Sequence, residues 1–232
     1  MHLYVVRHGQ SLINLADWQH GNRDEGLTDL GRRQAHAVAR RLAKDPGGID
    51  ALYSSTMLRA RETAAVIGET IGMTVIPDDR IREIGNNRLD HAPWPDVPEQ
   101  YGDFWATARP FASVTPAVEQ GESLMHFRTR VGAFVEDLLE RHEGEVVVAV
   151  AHGGVFDALF EHVFNVGPWP RCQVWTHNAA VSHFEALDFA PEHDFLVQGP
   201  EYWRLHVHNC MAHLEGLESE PVVVEGTLPA AE

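Results

Sequence analysis

Cysteine is scarce. The 232 residues contain two, Cys172 and Cys210, too few for a disulfide framework, and a reducing cytoplasm is the expected compartment. Long apolar runs are missing too. No stretch approaches the ~20 residues that cross a bilayer, and the first residues show no basic region leading into an apolar segment, so no secretory signal is expected. Basic side chains are outnumbered, 18 Lys and Arg against 34 Asp and Glu, for a formal net charge of −16. That field disfavours nucleic acid and anionic membranes as partners. It would also repel an anionic substrate, so any such substrate needs a local basic pocket. The 15 histidines show no recognisable metal-ligand spacing, and neither a metal nor another cofactor is called for. His206 and His208 alternate with Leu205 and Val207, as on one face of a strand, and are disfavoured as a metal pair.

What is present is ordinary for a soluble globular chain: 44% hydrophobic and 22% charged residues, long enough for one large domain or two small ones. Leu3 to Val6 is a short apolar run that reads as a buried strand. Ser11 to Trp18 follows as a short helix, capped by Ser11. Thr28 reads as the N-cap of a helix with Ala35, Val38, Ala39 and Leu42 on its apolar face. Ala51 to Tyr53 is a strand, Ser54-Ser55 a capping turn, and Thr56 to Thr70 a helix. Val75 to Pro77 reads as a strand, and Ile81-Arg82-Glu83-Ile84-Gly85 follows it. Residues 86 to 122 are rich in proline and aromatics and are expected to form an irregular lid-like insertion. Ser123 starts a helix with Phe127, Val131, Val135 and Leu138 inward. Val146 to Ala151 is uninterrupted apolar, the mark of a strand covered on both faces. A helix follows, then strands near 179–189 and 202–208, then an acidic tail over 215–232 that is expected to be loose. This alternation predicts an α/β fold, a mostly parallel sheet with helices on both faces.

Four groups stand where a predicted strand ends. Arg7 and His8 follow the first, Arg59 sits in the first helical turn after the second, and His152 follows Ala151. Ligands of open α/β sheets bind at the carboxyl ends of strands. A neutral imidazole can attack phosphorus, and arginine forks suit phosphate oxygens. Two arginines and a protonated second histidine would balance a transferring phosphoryl group without metal. Their field would keep His8 neutral and nucleophilic. Asn14 is either a surface amide or a member of the same pocket. An acid must protonate the leaving oxygen; Glu83 is the leading choice, and Asp79 and Asp90 are its rivals.

The chain resembles the histidine phosphatase superfamily, the phosphoglycerate mutase-like fold. The matching stretches are Arg7-His8-Gly9-Gln10-Ser11 with Asn14, Leu27-Thr28-Asp29-Leu30-Gly31 with Gln34-Ala35, Ser54 through Ala64, Gly121-Glu122-Ser123, and Ala151-His152-Gly153-Gly154. The resemblance implies a single-domain three-layer α/β/α sandwich over residues 1–214. It implies His8 as the residue that takes the phosphoryl group, Arg7, Arg59 and His152 as phosphate-binding groups with Asn14 assisting, and Glu83 as the proton donor. The mutase-like branch continues after its acid into a Gly-x-Trp-Glu-Gly type run, whereas this chain reads Gly85-Asn86-Asn87-Arg88-Leu89. It also lacks an aromatic soon after Gly9, where Leu12-Ile13 stand. These departures favour a metal-independent phosphatase acting on a small phosphorylated substrate. A mutase, or a non-catalytic phosphate-binding module of the same fold, remain the alternatives. A homodimer is compatible with the sequence but not specified by it.

Overall fold

The computed structural model describes residues 1–15, 24–44, 47–84, 122–167, 174–188 and 201–217. Its elements, in chain order, are β1 (His2–Arg7), α1 (Leu12–Leu15), α2 (Asp29–Leu42), β2 (Ala51–Ser55), α3 (Leu58–Ile71), β3 (Val75–Asp78), a 3-10 turn (Asp79–Ile81), α4 (Leu124–Arg141), β4 (Val146–Ala151), α5 (Gly153–Val163), β5 (Val181–Asp188), β6 (Glu201–Cys210) and a second 3-10 turn (Ala212–Leu214). The six strands form one sheet in the order β3-β2-β4-β1-β5-β6. β1 to β4 run parallel to one another, and β5 and β6 continue the sheet antiparallel beyond β1. The chain is therefore a single α/β/α unit with a mostly parallel sheet.

The apolar run of β4 is buried on both sides. Val147, Ala149 and Ala151 face Phe127, Val131 and Leu138 of α4 and Phe156 and Leu159 of α5. Val148 and Val150 face Val38 and Leu42 of α2 and Ala60, Ala64 and Ile67 of α3. Each fully buried valine contributes on the order of 1.5–3 kcal/mol, which makes β4 the spine of both cores. β1 pairs with β4, yet their onward connections leave in opposite directions: β1 leads to β2 beyond β4, and β4 leads to β5 beyond β1. The helices therefore take opposite faces, and a crevice opens at the carboxyl ends of β1 and β4.

Both predicted caps form. Thr28 Oγ1 accepts from the Gly31 amide at 3.0 Å and Ser123 Oγ from the His126 amide at 3.1 Å. Two local expectations are corrected. Ser54 and Ser55 are not a turn but the buried end of β2, and α3 starts at Leu58, whose amide is taken by Asp24 Oδ1 from a distant loop. Past β3, Asp79–Ile81 forms a 3-10 turn. The Asp78 carboxylate accepts from the Arg80 amide and guanidinium, and this local capture closes a 3-10 turn in place of a ladder. His206 and His208 do not share a face. The pairing of β5 with β6 shifts register next to His183, a bulge that leaves His206 as the extra residue. His208 then turns to the opposite side, with Nδ1 on Ser182 Oγ and its ring against Phe160. The expected insertion over 86–122 lies outside the described residues apart from Glu122, and the expected tail over 215–232 apart from residues 215–217.

Candidate active site

The loop leaving β1 is held by its backbone. The His8 amide donates to Ala151 O at 3.0 Å, the Gly9 amide to Thr63 Oγ1 at 3.0 Å and the Gln10 amide to Gln34 Oε1 at 2.8 Å. Gly9 and Gly31 must both be glycine: a Cβ on Gly9 would lie 2.5 Å from Gly31 O, and one on Gly31 only 1.9 Å from Gln10 O. The Leu27–Gly31 stretch is thus the seat on which the loop rests.

His8 is 2% exposed. Its Nδ1 lies 2.7 Å from Gly9 O, which can only accept, so Nδ1 carries the ring proton. Its Nε2 lies 3.1 Å from Arg59 Nε, which can only donate, so Nε2 presents a lone pair. Burial, then Arg59 and Arg7, hold the imidazole well below its ordinary pKa. The expectation of a neutral His8 is met, and burial is a larger cause than the cations. Arg59 is itself 2% exposed. Its guanidinium is pushed down to about 10, chiefly by burial, with Glu83 and Asp24 opposing. Arg7 donates from Nη1 to Thr176 O. Its Nε is buried with no hydrogen-bond partner among the described residues.

His152 is fully buried, its ring centroid 5.1 Å from that of His8. The sequence reading takes it as protonated while it holds a phosphoryl group; in the free site the neutral form is favoured. Burial, then Arg59, His8 and Arg7, hold it well below its ordinary pKa. Burial at this depth, among other cations, disfavours the charged form. His152 Nε2 lies 2.7 Å from Ser55 Oγ, which accepts from the Met57 amide and so has its own proton to give. In that arrangement the ring proton sits on Nδ1, which is buried and has no partner among the described residues. Two buried donors, Arg7 Nε and His152 Nδ1, therefore await an acceptor beside His8.

Glu83 follows the 3-10 turn. Its Oε2 accepts from the Gly154 amide at 3.2 Å and its Oε1 from the Ile84 amide at 2.9 Å. A Cβ on Gly154 would lie 2.3 Å from Glu83 Oε1, so a larger residue at 154 would oblige the carboxylate to shift from its place at the helix start. The rival Asp79 is exposed and pairs with Arg82 at 3.7 Å, and Asp90 lies outside the described residues. Asn14 turns its Oδ1 inward, to the Ser11 amide, the Ser11 hydroxyl and Asn178 Nδ2. Asn178 also donates to His8 O at 3.2 Å. Asn14 is thus tied to the His8 loop, and its own amide nitrogen is the group left to meet a ligand.

Sequence reading missed four contributors. Arg82 is buried and sends Nη1 to Thr56 Oγ1. Arg130, mid-helix in α4, pins the acid's strand exit by donating to Arg80 O, Arg82 O and Glu83 O, while pairing with Glu122 at 2.6 Å. Ser55 orients His152. Asp157, one helical turn past His152, is pushed up to about 7 by burial and accepts from the Val174 amide. None has a local signature; a buried arginine and a solvated one look alike in sequence.

The comparisons with known proteins agree with this geometry. The family model described as histidine phosphatase superfamily (branch 1) matches residues 3–199. The protein named "Probable phosphoglycerate mutase GpmB" from Yersinia pestis is 28% identical over 216 residues, covering 93% of this chain and 95% of its own. A mycobacterial glucosyl-3-phosphoglycerate phosphatase, solved with VO3, superposes with a TM-score of 0.66 at 28% identity and covers 90% of this chain and 99% of that one. An Entamoeba histolytica phosphoserine phosphatase, with a TM-score of 0.69 at 21% identity over 92% of this chain and 98% of that one, speaks to the fold alone.

Proposed function

The chain belongs to the histidine phosphatase superfamily (branch 1), and from that premise we propose that it hydrolyses small phosphate monoesters through a phosphohistidine on His8. The observation that carries the reading is the state of His8: neutral, its proton fixed on Nδ1 by Gly9 O, its Nε2 lone pair beside Arg59. Phosphate enters between Arg7, Arg59 and His152, and Arg59 Nε exchanges His8 for a phosphate oxygen. The incoming dianion favours a proton on His152, which then donates from Nδ1. His8 Nε2 attacks phosphorus, the bond to the ester oxygen breaks, and Glu83 gives its proton to the departing alkoxide. Water then attacks the phosphohistidine, Glu83 takes its proton, and phosphate leaves from a regenerated His8. Asn14 assists through its amide nitrogen.

No step calls for a metal, because two buried guanidiniums and an imidazolium supply the positive charge. The test is hydrolysis of an aryl phosphate in EDTA, for wild type and His8→Ala. Activity that survives the chelator in the wild type and vanishes in the variant is expected; loss in EDTA, or an active variant, would overturn the reading. A mutase is the second reading, favoured by the name of a relative of nearly equal length. A requirement for a bisphosphate primer, with isomerised rather than dephosphorylated phosphoglycerate as product, would establish it.

A further inference from the structure

The sheet carries a second histidine cluster at the end remote from His8. β1 contributes His2, β5 His183 and β6 His206. Pairing sets His2 opposite Glu185 and Tyr4 opposite His183, and Glu185 opposite Arg204. All of these lie on the face to which Tyr4 belongs, beside the α2/α3 core. Regular alternation would not separate His206 from His208. The bulge does so: His206 stays on the face of Arg204, which opposes Glu185, and His208 is turned to the other.

One ring nitrogen from each of His2, His183 and His206 lies within 4.8 Å of the others. His2 Nδ1 and His183 Nε2 are 3.1 Å apart. Two imidazoles on one tetrahedral ion, at the usual ~2.0–2.1 Å, stand about 3.4 Å from each other, so little movement is needed. The His183 and His206 rings stack with centroids 4.6 Å apart. Glu185 lies behind them, with Oε2 2.7 Å from His206 Nε2 and Oε1 4.0 Å from His2 Nε2. A carboxylate behind a ligating imidazole fixes its tautomer and strengthens it as a donor. His206 is exposed and the other two half-buried, which leaves the ion's fourth position open to water.

We propose that His2, His183 and His206 form a binding site for one divalent transition-metal ion of the zinc class, with Glu185 supporting the histidine ligands. Imidazole donors select zinc and its late-transition neighbours over magnesium and calcium. His2 and His8 flank opposite ends of β1, roughly 20 Å apart at the strand's rise per residue. The ion therefore takes no part in phosphoryl transfer; it clamps β1, β5 and the edge strand β6 together and stabilises the fold by mass action.

The test is zinc titration by calorimetry of full-length chain without a polyhistidine tag, stripped of metal beforehand, with cobalt absorption reporting tetrahedral geometry. The wild type is expected to bind one zinc per chain and to rise in melting temperature. His206→Ala and His183→Ala are each expected to weaken binding at least tenfold, and Glu185→Gln about tenfold. His206 is exposed, so its variant folds, and its aryl phosphatase activity should equal that of wild type. Absence of stoichiometric zinc in the wild type would overturn the site. So would unchanged affinity in the His183→Ala/His206→Ala double variant, which would place the ion on other histidines.

Discussion

β1 has histidines at both ends, and they live in different chemical worlds. At the carboxyl end His8 and His152 are buried among Arg7 and Arg59, and burial plus positive charge keeps both neutral. At the amino end His2, His183 and His206 stand toward solvent, with Glu185, an acidic partner, in reach. The first pair faces guanidiniums, and the carboxylate of that site, Glu83, is held by the Gly154 and Ile84 amides; the second faces a carboxylate, Glu185, which Arg204 also pairs at 2.9 Å. The comparison teaches that imidazole chemistry is assigned by surroundings. Buried donors facing cations make a place for a phosphoryl group, and converging lone pairs beside a carboxylate make a place for a metal ion.

The largest break in that contrast should come from His8→Ala. Turnover is expected to fall about 10⁴-fold or more, with the melting transition retained; substantial residual turnover would remove His8 from the centre of the account. Glu83→Gln comes next. It should slow alkyl phosphates about 10²–10⁴-fold while sparing aryl phosphates, whose leaving groups need little help, and equal losses on both would point to another acid. Gly154→Ala tests the seat of that acid. Its new Cβ must displace Glu83 Oε1, and an ångström of misplacement costs about 10²-fold; unchanged kcat on alkyl esters would show that Glu83 need not sit against the α5 start.

A smaller effect sharpens the comparison through pH. Both buried histidines have folded-state pKa values depressed well below the ordinary value of 6.5. Below about pH 6.5 the unfolded chain therefore binds more protons than the folded one. Stability is expected to fall with decreasing pH, by at most about 1.4 kcal/mol per histidine per pH unit. Inorganic phosphate should blunt the fall, because it rewards protonation of His152. Denaturant midpoints between pH 7.5 and 5 would show this; a flat profile would mean that His152 is already charged.

Periodicity carried most of the fold. The apolar run of β4, the alternating faces of α2, α3 and α4, and the caps at Thr28 and Ser123 are local patterns, and each formed where the pattern stood. The placement of Arg7, His8, Arg59 and His152 was legible for a related reason. Parallel strands end at one edge, so residues that follow strands converge. What escaped depended on contacts distant in sequence. The exit of β3 is set by Asp78 capturing Arg80 and by Arg130 reaching across from α4, and no local pattern announces either contact. The charge of His152 depends on burial, which no spacing reports. The bulge that parts His206 from His208 is one extra residue opposite β5, and an extra residue leaves no mark in composition.

The most direct test of the central claim is to trap the intermediate. Enzyme mixed with a phosphate monoester, quenched rapidly in alkali and digested, should yield a peptide carrying one added phosphoryl group on His8. The signal should be absent in His8→Ala and enhanced when the attacking water is slowed, as in Glu83→Gln with an aryl phosphate. Turnover with no phosphorylated His8 peptide at any quench time, or the phosphoryl group on another residue, would contradict the account.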